Sequence, residues 1–196
     1  MEGTNPVNKK LAAALSGGAV LVLALSGCGG DDSSEKLNSW AKEVCDEVQP
    51  QAKKIEAANT SIQKQTSDNS TPADVQKTDS QAFQDMSDAY KAIGAAVTKA
   101  GAPEVENGEK KKADAVKELN GISTSYADLK KQVDALDTKD QGKFADGLKD
   151  IATELDKLGQ SGNVALNKLQ EGEVGQAMAK QESCKSASGS PSATNG

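Results

Sequence analysis

Residues 119–136, LNGISTSYADLKKQVDAL, decide the fold. Their apolar side chains, Leu119, Ile122, Tyr126, Leu129, Val133 and Leu136, recur in alternating steps of three and four. At about 3.6 residues per turn such steps keep all of them on one stripe, whereas a strand would need alternation in twos. A stripe of this kind is the seam along which one helix packs against another. The spacing therefore predicts a helix that requires helical neighbours, with Gly108 leaving its start open.

The neighbours lie on both sides. Toward the C-terminus, Phe144, Leu148, Ile151, Leu155 and Leu158 repeat the same seam, with Asp137 or Thr138 as the expected N-cap. Beyond Gly159, Leu166, Leu169, Val174 and Met178 continue a helical pattern. Gly159, Gly162, Gly172 and Gly175 could each end or only weaken a helix, so residues 159–182 read equally as one helix or two. Toward the N-terminus, Thr71-Pro72 opens a helix with proline at its first position, Gly101 closes it, and Val75, Phe83, Met86, Tyr90, Ile93 and Val97 form its buried stripe. The polar run 66–71 is the preceding turn. The first helix carries Leu37, Trp40, Ala41, Val44, Val48, Ala52, Ile55 and Ile62 on one face, with Ser33 or Ser34 as cap and a kink or brief break expected near residues 46–50 from Pro50. No strand pattern occurs in the sequence from Ser34 onward. Four amphipathic helices joined by short polar turns predict an all-α, up-down-up-down four-helix bundle over residues 35–184, with room for a short extra C-terminal helix. Residues 185–196, KSASGSPSATNG, have nothing to bury and are expected to be disordered.

Composition removes whole classes of function. The 196 residues include no histidine and no arginine, so all 23 basic residues are lysine against 29 acids, a net charge of −6. Histidine-based nucleophile activation, proton shuttling and metal ligation are excluded, as is the bidentate arginine clamp on phosphate or carboxylate. No Gly-rich phosphate loop and no Cys-x-x-Cys pair is present. An acidic chain also repels a phosphate backbone, so nucleic acid is not an expected partner. Neither a cofactor nor a metal is expected, and no residue is assigned a catalytic role.

The N-terminus states an address. Lys9 and Lys10 precede the apolar run 11–25, LAAALSGGAVLVLAL, which is too short for a comfortable membrane span of about 20 residues. It ends in Leu25-Ser26-Gly27-Cys28, followed by GGDDSS. This pattern resembles the lipobox of bacterial lipoproteins. The resemblance implies a diacylglycerol on the Cys28 sulfur and cleavage between Gly27 and Cys28, which makes residues 1–27 a removed signal peptide and residues 28–34 a flexible tether. Removal would leave 169 of the 196 residues and shift the charge from −6 to −7 through loss of Lys9, Lys10 and Glu2. Two acyl chains anchor a protein stably where one would not, and the signal's lack of any arginine points to the general secretory route. The expected location is the outer face of the cytoplasmic membrane.

With Cys28 committed to lipid, Cys45 and Cys184 remain as an even pair in an oxidising compartment and are expected to form a disulfide, free buried cysteines being the alternative. In an up-down-up-down chain the C-terminal end returns to the end at which the first helix starts, so that bond is geometrically natural. Lipobox, acidic linker, Trp40 and Cys45 early, a Lys/Ala/Asp-rich helical body and the Gln181-Glu182-Ser183-Cys184 ending together resemble small secreted lipoproteins of actinomycetes. That resemblance implies location and fold and no mechanism.

Candidate sites have plain alternatives. Trp40, Phe83, Tyr90, Tyr126 and Phe144 could line a ligand cavity, yet all fall on the buried faces, where core packing is the simpler role. Lys110, Lys111 and Lys112 could meet anionic headgroups, but Glu104, Glu106, Glu109 and Asp114 dilute them. Asp146, Asp150 and Glu154 form an acidic ridge whose default is solvation. Gly172-Glu173-Val174-Gly175 reads as a hinge between helical pieces. The expected function is a non-catalytic interaction or accessory module that is held at the envelope by its lipid and contacts an envelope protein. A carrier of a small molecule or lipid between the helices is the alternative, and the ligand-binding residues of such a carrier are not identifiable.

Overall fold

A computed structural model describes residues 30–65, 70–161 and 164–187; the signal run, Cys28 and residues 188–196 of the tail lie outside them. Seven helices occupy these segments, and no strand occurs among the described residues: α1 (Gly30–Gln65), α2 (Pro72–Ala100), α3 (Gly108–Asp134), α4 (Gln141–Ser161), α5 (Val164–Leu169), α6 (Glu173–Ala179) and α7 (Glu182–Ala187). None is long and apolar enough to cross a membrane.

Local chemistry fixes most of the boundaries. Thr71 caps α2, its hydroxyl oxygen accepting the Asp74 N–H at 3.2 Å, and Pro72 occupies the first helical position, where its missing N–H costs nothing. Gly101, at φ 80°, ends α2. Asn107, at φ 58°, leads into Gly108, which packs so closely on the preceding turn that a Cβ there would sit 2.0 Å from the Pro103 carbonyl oxygen.

Several expectations change. Helix α1 runs unbroken through Pro50, because that ring lies on the solvent side, where water can take up the carbonyl that a proline leaves without a helical donor. It also begins at Gly30, ahead of the Ser33 or Ser34 cap and inside the stretch read as tether. The cap of α4 is Asp140, whose carboxylate accepts the Lys143 N–H at 3.1 Å. Asp137 instead accepts the Lys139 N–H at 2.9 Å, closing a local turn that carries the chain past Thr138 before α4 starts. The ambiguous stretch 159–182 resolves into the end of α4 and the short helices α5 and α6, and α7 extends to Ala187, three residues into the expected tail.

Helix α2 lies between α1 and α3 and runs antiparallel to both. At one end the Trp40 indole N–H donates to the Gly101 carbonyl at 2.9 Å; at the other the Gln76 amide donates to the carbonyls of Val133 and Leu136, each at 2.9 Å. Midway, Ser87 and Ser123 donate to each other's carbonyl oxygens at 2.8 Å, a reciprocal buried pair that holds α2 close to α3 without an unsatisfied hydroxyl. Helix α4 packs on the C-terminal half of α3, where Gln132 donates to Glu154 at 2.6 Å, and α5 packs on its N-terminal half, where Lys111 donates to the Lys168 carbonyl at 2.8 Å. Helices α6 and α7 then return to α1.

The core is two apolar clusters, one toward each end. Leu37, Trp40, Val44, Val97, Leu119 and Val174 belong to the first; Ala58, Phe83, Met86, Leu129, Val133 and Ile151 belong to the second. Every member of the 119–136 seam is buried or packed against one of these clusters.

Candidate functional site

The expected pairing of cysteines is present: Cys45 of α1 and Cys184 of α7 are joined with S–S 2.03 Å and Cα atoms 5.0 Å apart. Cys45 is fully buried under α7, and the Ser183 hydroxyl beside it donates to Asp46. That bond, together with the Lys42 ammonium at 2.6 Å, holds the Asp46 carboxyl below the usual carboxylate range, Lys42 contributing most. The disulfide and this polar contact fasten a six-residue helix that is too short to hold itself.

The aromatic candidates are in the interior. Trp40, Phe83 and Phe144 are buried, Tyr90 stacks on Tyr126 with ring centroids 5.6 Å apart and planes 10° apart, and Phe83 tilts against Tyr126 at 6.1 Å. Burial pushes the Tyr126 phenol up to about 12, with Tyr90 adding to the shift, and raises Tyr90 as well. Phe83, Tyr90 and Tyr126 pack on one another, and five grooves between the helices are lined by other residues.

The charged candidates are engaged at the surface. Lys110 pairs with Asp114 at 2.6 Å, Lys112 with Glu109 at 2.7 Å, and Lys111 reaches the Lys168 carbonyl, so the lysine run is not a bare cationic patch. Asp146, Asp150 and Glu154 are exposed, Glu154 accepting from Gln132. Gly172 lies between α5 and α6 at φ 69°, and Val174, two residues on, is buried in the first cluster.

Two features escaped the sequence reading. One is Asp79, 9% exposed on the core side of α2, whose carboxyl is raised from 3.8 to about 6 by burial. Among the described residues no hydrogen bond or ion pair to it is found. Its position four before Phe83 and seven before Met86, on the apolar stripe, was the available signal. The other is an open groove of about 780 Å³ between the end of α1 and the start of α2, lined by Ala57, Ser61 and Gln65 and by Lys77, Gln81 and Asp85.

The chain matches no family model, no curated protein and no solved structure.

Proposed function

We propose that this chain is an exported bacterial lipoprotein, anchored through Cys28 to the outer face of the cytoplasmic membrane, and that its helical body is a non-catalytic interaction or accessory module at the cell envelope. The observation that carries the reading is a lipobox in front of a body closed by the Cys45–Cys184 disulfide. Disulfides persist in oxidising, extracytoplasmic compartments, so the bond in the body and the signal at the N-terminus point to the same address from independent residues. The missing histidine and arginine support a role in contact rather than catalysis. The mutual packing of Phe83, Tyr90 and Tyr126 favours this role over a carrier, because those rings fill the space an apolar ligand would need.

The architecture proposed for the body is an up-down-up-down four-helix bundle. Helices α1, α2 and α3 supply three columns, and α4 followed by α5, meeting first the C-terminal and then the N-terminal half of α3, supplies the fourth.

Intact mass spectrometry of the protein extracted from its own membrane tests the anchor: the expected chain starts at Cys28 and carries the mass of a diacylglycerol with its acyl chains. A chain starting upstream, or one without lipid, overturns it. Crosslinking in cells tests the role, and recovery of no specific envelope protein would remove it.

A further inference from the structure

Given a lipid on Cys28, the start of α1 determines which end of the body meets the bilayer. Helix α1 is ordered from Gly30, so only Gly29 separates the modified residue from it, and a chain covers at most about 3.6 Å per residue. If the first turn frays as far as Ser34, the tether still reaches no more than about 20 Å. Helix α1 itself, at 36 residues, is about 54 Å long. Its far end therefore cannot touch the surface unless the body lies down.

We infer that the end formed by the first turns of α1, the α2–α3 turn at residues 101–107 and the start of α3 is a membrane-facing surface, with the opposite end of the body carried outward. The placement of these pieces at one end is fixed by contacts: Trp40 to Gly101, Lys36 to Glu104 at 3.2 Å, and Lys111 to the end of α5. The lysines of that end are engaged locally and its acids outnumber them, so the lipid and the short tether, not headgroup charge, hold this end to the bilayer. Lys36 pairs with Glu104, Lys110 with Asp114 and Lys112 with Glu109. The groove beside Ala57, Ser61 and Gln65 then points away from the membrane, where an envelope protein can reach it.

The test uses the lipidated protein extracted from its own membrane and reconstituted into vesicles of phosphatidylethanolamine and phosphatidylglycerol that carry a headgroup energy acceptor. With Cys45 and Cys184 in a disulfide and Cys28 acylated, an introduced cysteine is the single free thiol available to a donor dye. Glu106→Cys and Lys64→Cys place it on exposed positions at the two ends. Transfer from position 106 and its loss at position 64 are expected, unchanged when phosphatidylglycerol is replaced by phosphatidylcholine. Equal transfer from both positions, or none from either while the protein floats with the vesicles, overturns the orientation and leaves the anchor standing. Protein that carries no lipid mass and does not float overturns the anchor and the orientation with it.

Discussion

Asp79 makes the stability of this protein fall as the pH rises through the mildly acidic range. Its carboxyl is raised from 3.8 to about 6 by desolvation on the core side of α2, so between those values the folded chain binds a proton that the unfolded chain has lost. The sign follows from linkage: the stabilisation is fully present below pH 3.8, declines through the window and is gone above about pH 6. Two pKa units at about 1.36 kcal/mol each set about 3 kcal/mol as the upper limit of the drop, which solvent reaching the carboxyl reduces. The carboxylates of Asp46, Asp114, Asp134 and Asp140 work in the opposite direction, held low mainly by hydrogen bonds from Lys42, Lys110 and Lys130 and, for Asp140, from the Lys143 backbone N–H. Their contribution is lost as the pH falls below the ordinary carboxylate range, so the two effects occupy separate windows. Urea unfolding followed by fluorescence of the single tryptophan, Trp40, should give maximal stability at about pH 4 to 5 and a decline toward pH 7. Asp79→Asn, which mimics the protonated state, should flatten that decline. At neutral pH it should gain about 1–2 kcal/mol, less than the full shift because an unpartnered amide also carries a burial cost. A wild-type curve that climbs steadily from pH 4 to 7, or an Asn variant with an unaltered slope, would refute the argument.

Two further outcomes test the frame around that site. Cys45→Ser with Cys184→Ser opens a covalent loop spanning 139 residues, which the chain-entropy account puts at about 5 kcal/mol as an upper figure; a large fall in the urea midpoint is expected, and near-constancy would show that α6 and α7 hold to α1 by packing alone. Gly108→Ala forces a methyl against the Pro103 carbonyl oxygen, so the α2–α3 turn must open at a cost of about 1–3 kcal/mol, read as a lowered Tm; an unchanged Tm would mean that this approach is not tight.

Much of the fold was legible because its determinants are short-range. The three-four spacing of Leu119, Ile122, Tyr126, Leu129, Val133 and Leu136 needs no tertiary knowledge, and each is buried or packed where the stripe puts it. Thr71-Pro72 and Gly101 are likewise local signals, and α2 starts and stops on them. The α4 cap was not separable, since Asp137, Thr138 and Asp140 are all acceptable capping residues and a turn closed by Asp137 decides among them. The break between α4 and α5 was ambiguous because glycine both ends helices and merely weakens them. Asp79 was passed over for a different reason: a carboxylate in a Lys- and Asp-rich helix is taken as solvated, although its register with Phe83 and Met86 puts it on the buried stripe.

The two ends of the body are stabilised by different physics. At the end carrying the start of α1, the Cys45–Cys184 bond, the Trp40–Gly101 hydrogen bond and the first apolar cluster act together, and none of the three depends on a proton at neutral pH. At the other end the second cluster has no covalent closure and includes the turn of α2 on which an ionised Asp79 sits unpaired. An ionised Asp79 is better hydrated when α2 loosens from its neighbours near Phe83, so local opening at this end is expected before the whole chain unfolds. Amide hydrogen exchange is therefore expected to be slower at the disulfide-closed end than at the end presenting the groove beside Ser61 and Gln81, with the contrast growing above about pH 6; equal exchange at both ends would refute it. Under the proposed anchoring through Cys28, the disulfide-closed end would be the one held at the membrane and the groove end would be left free for a partner.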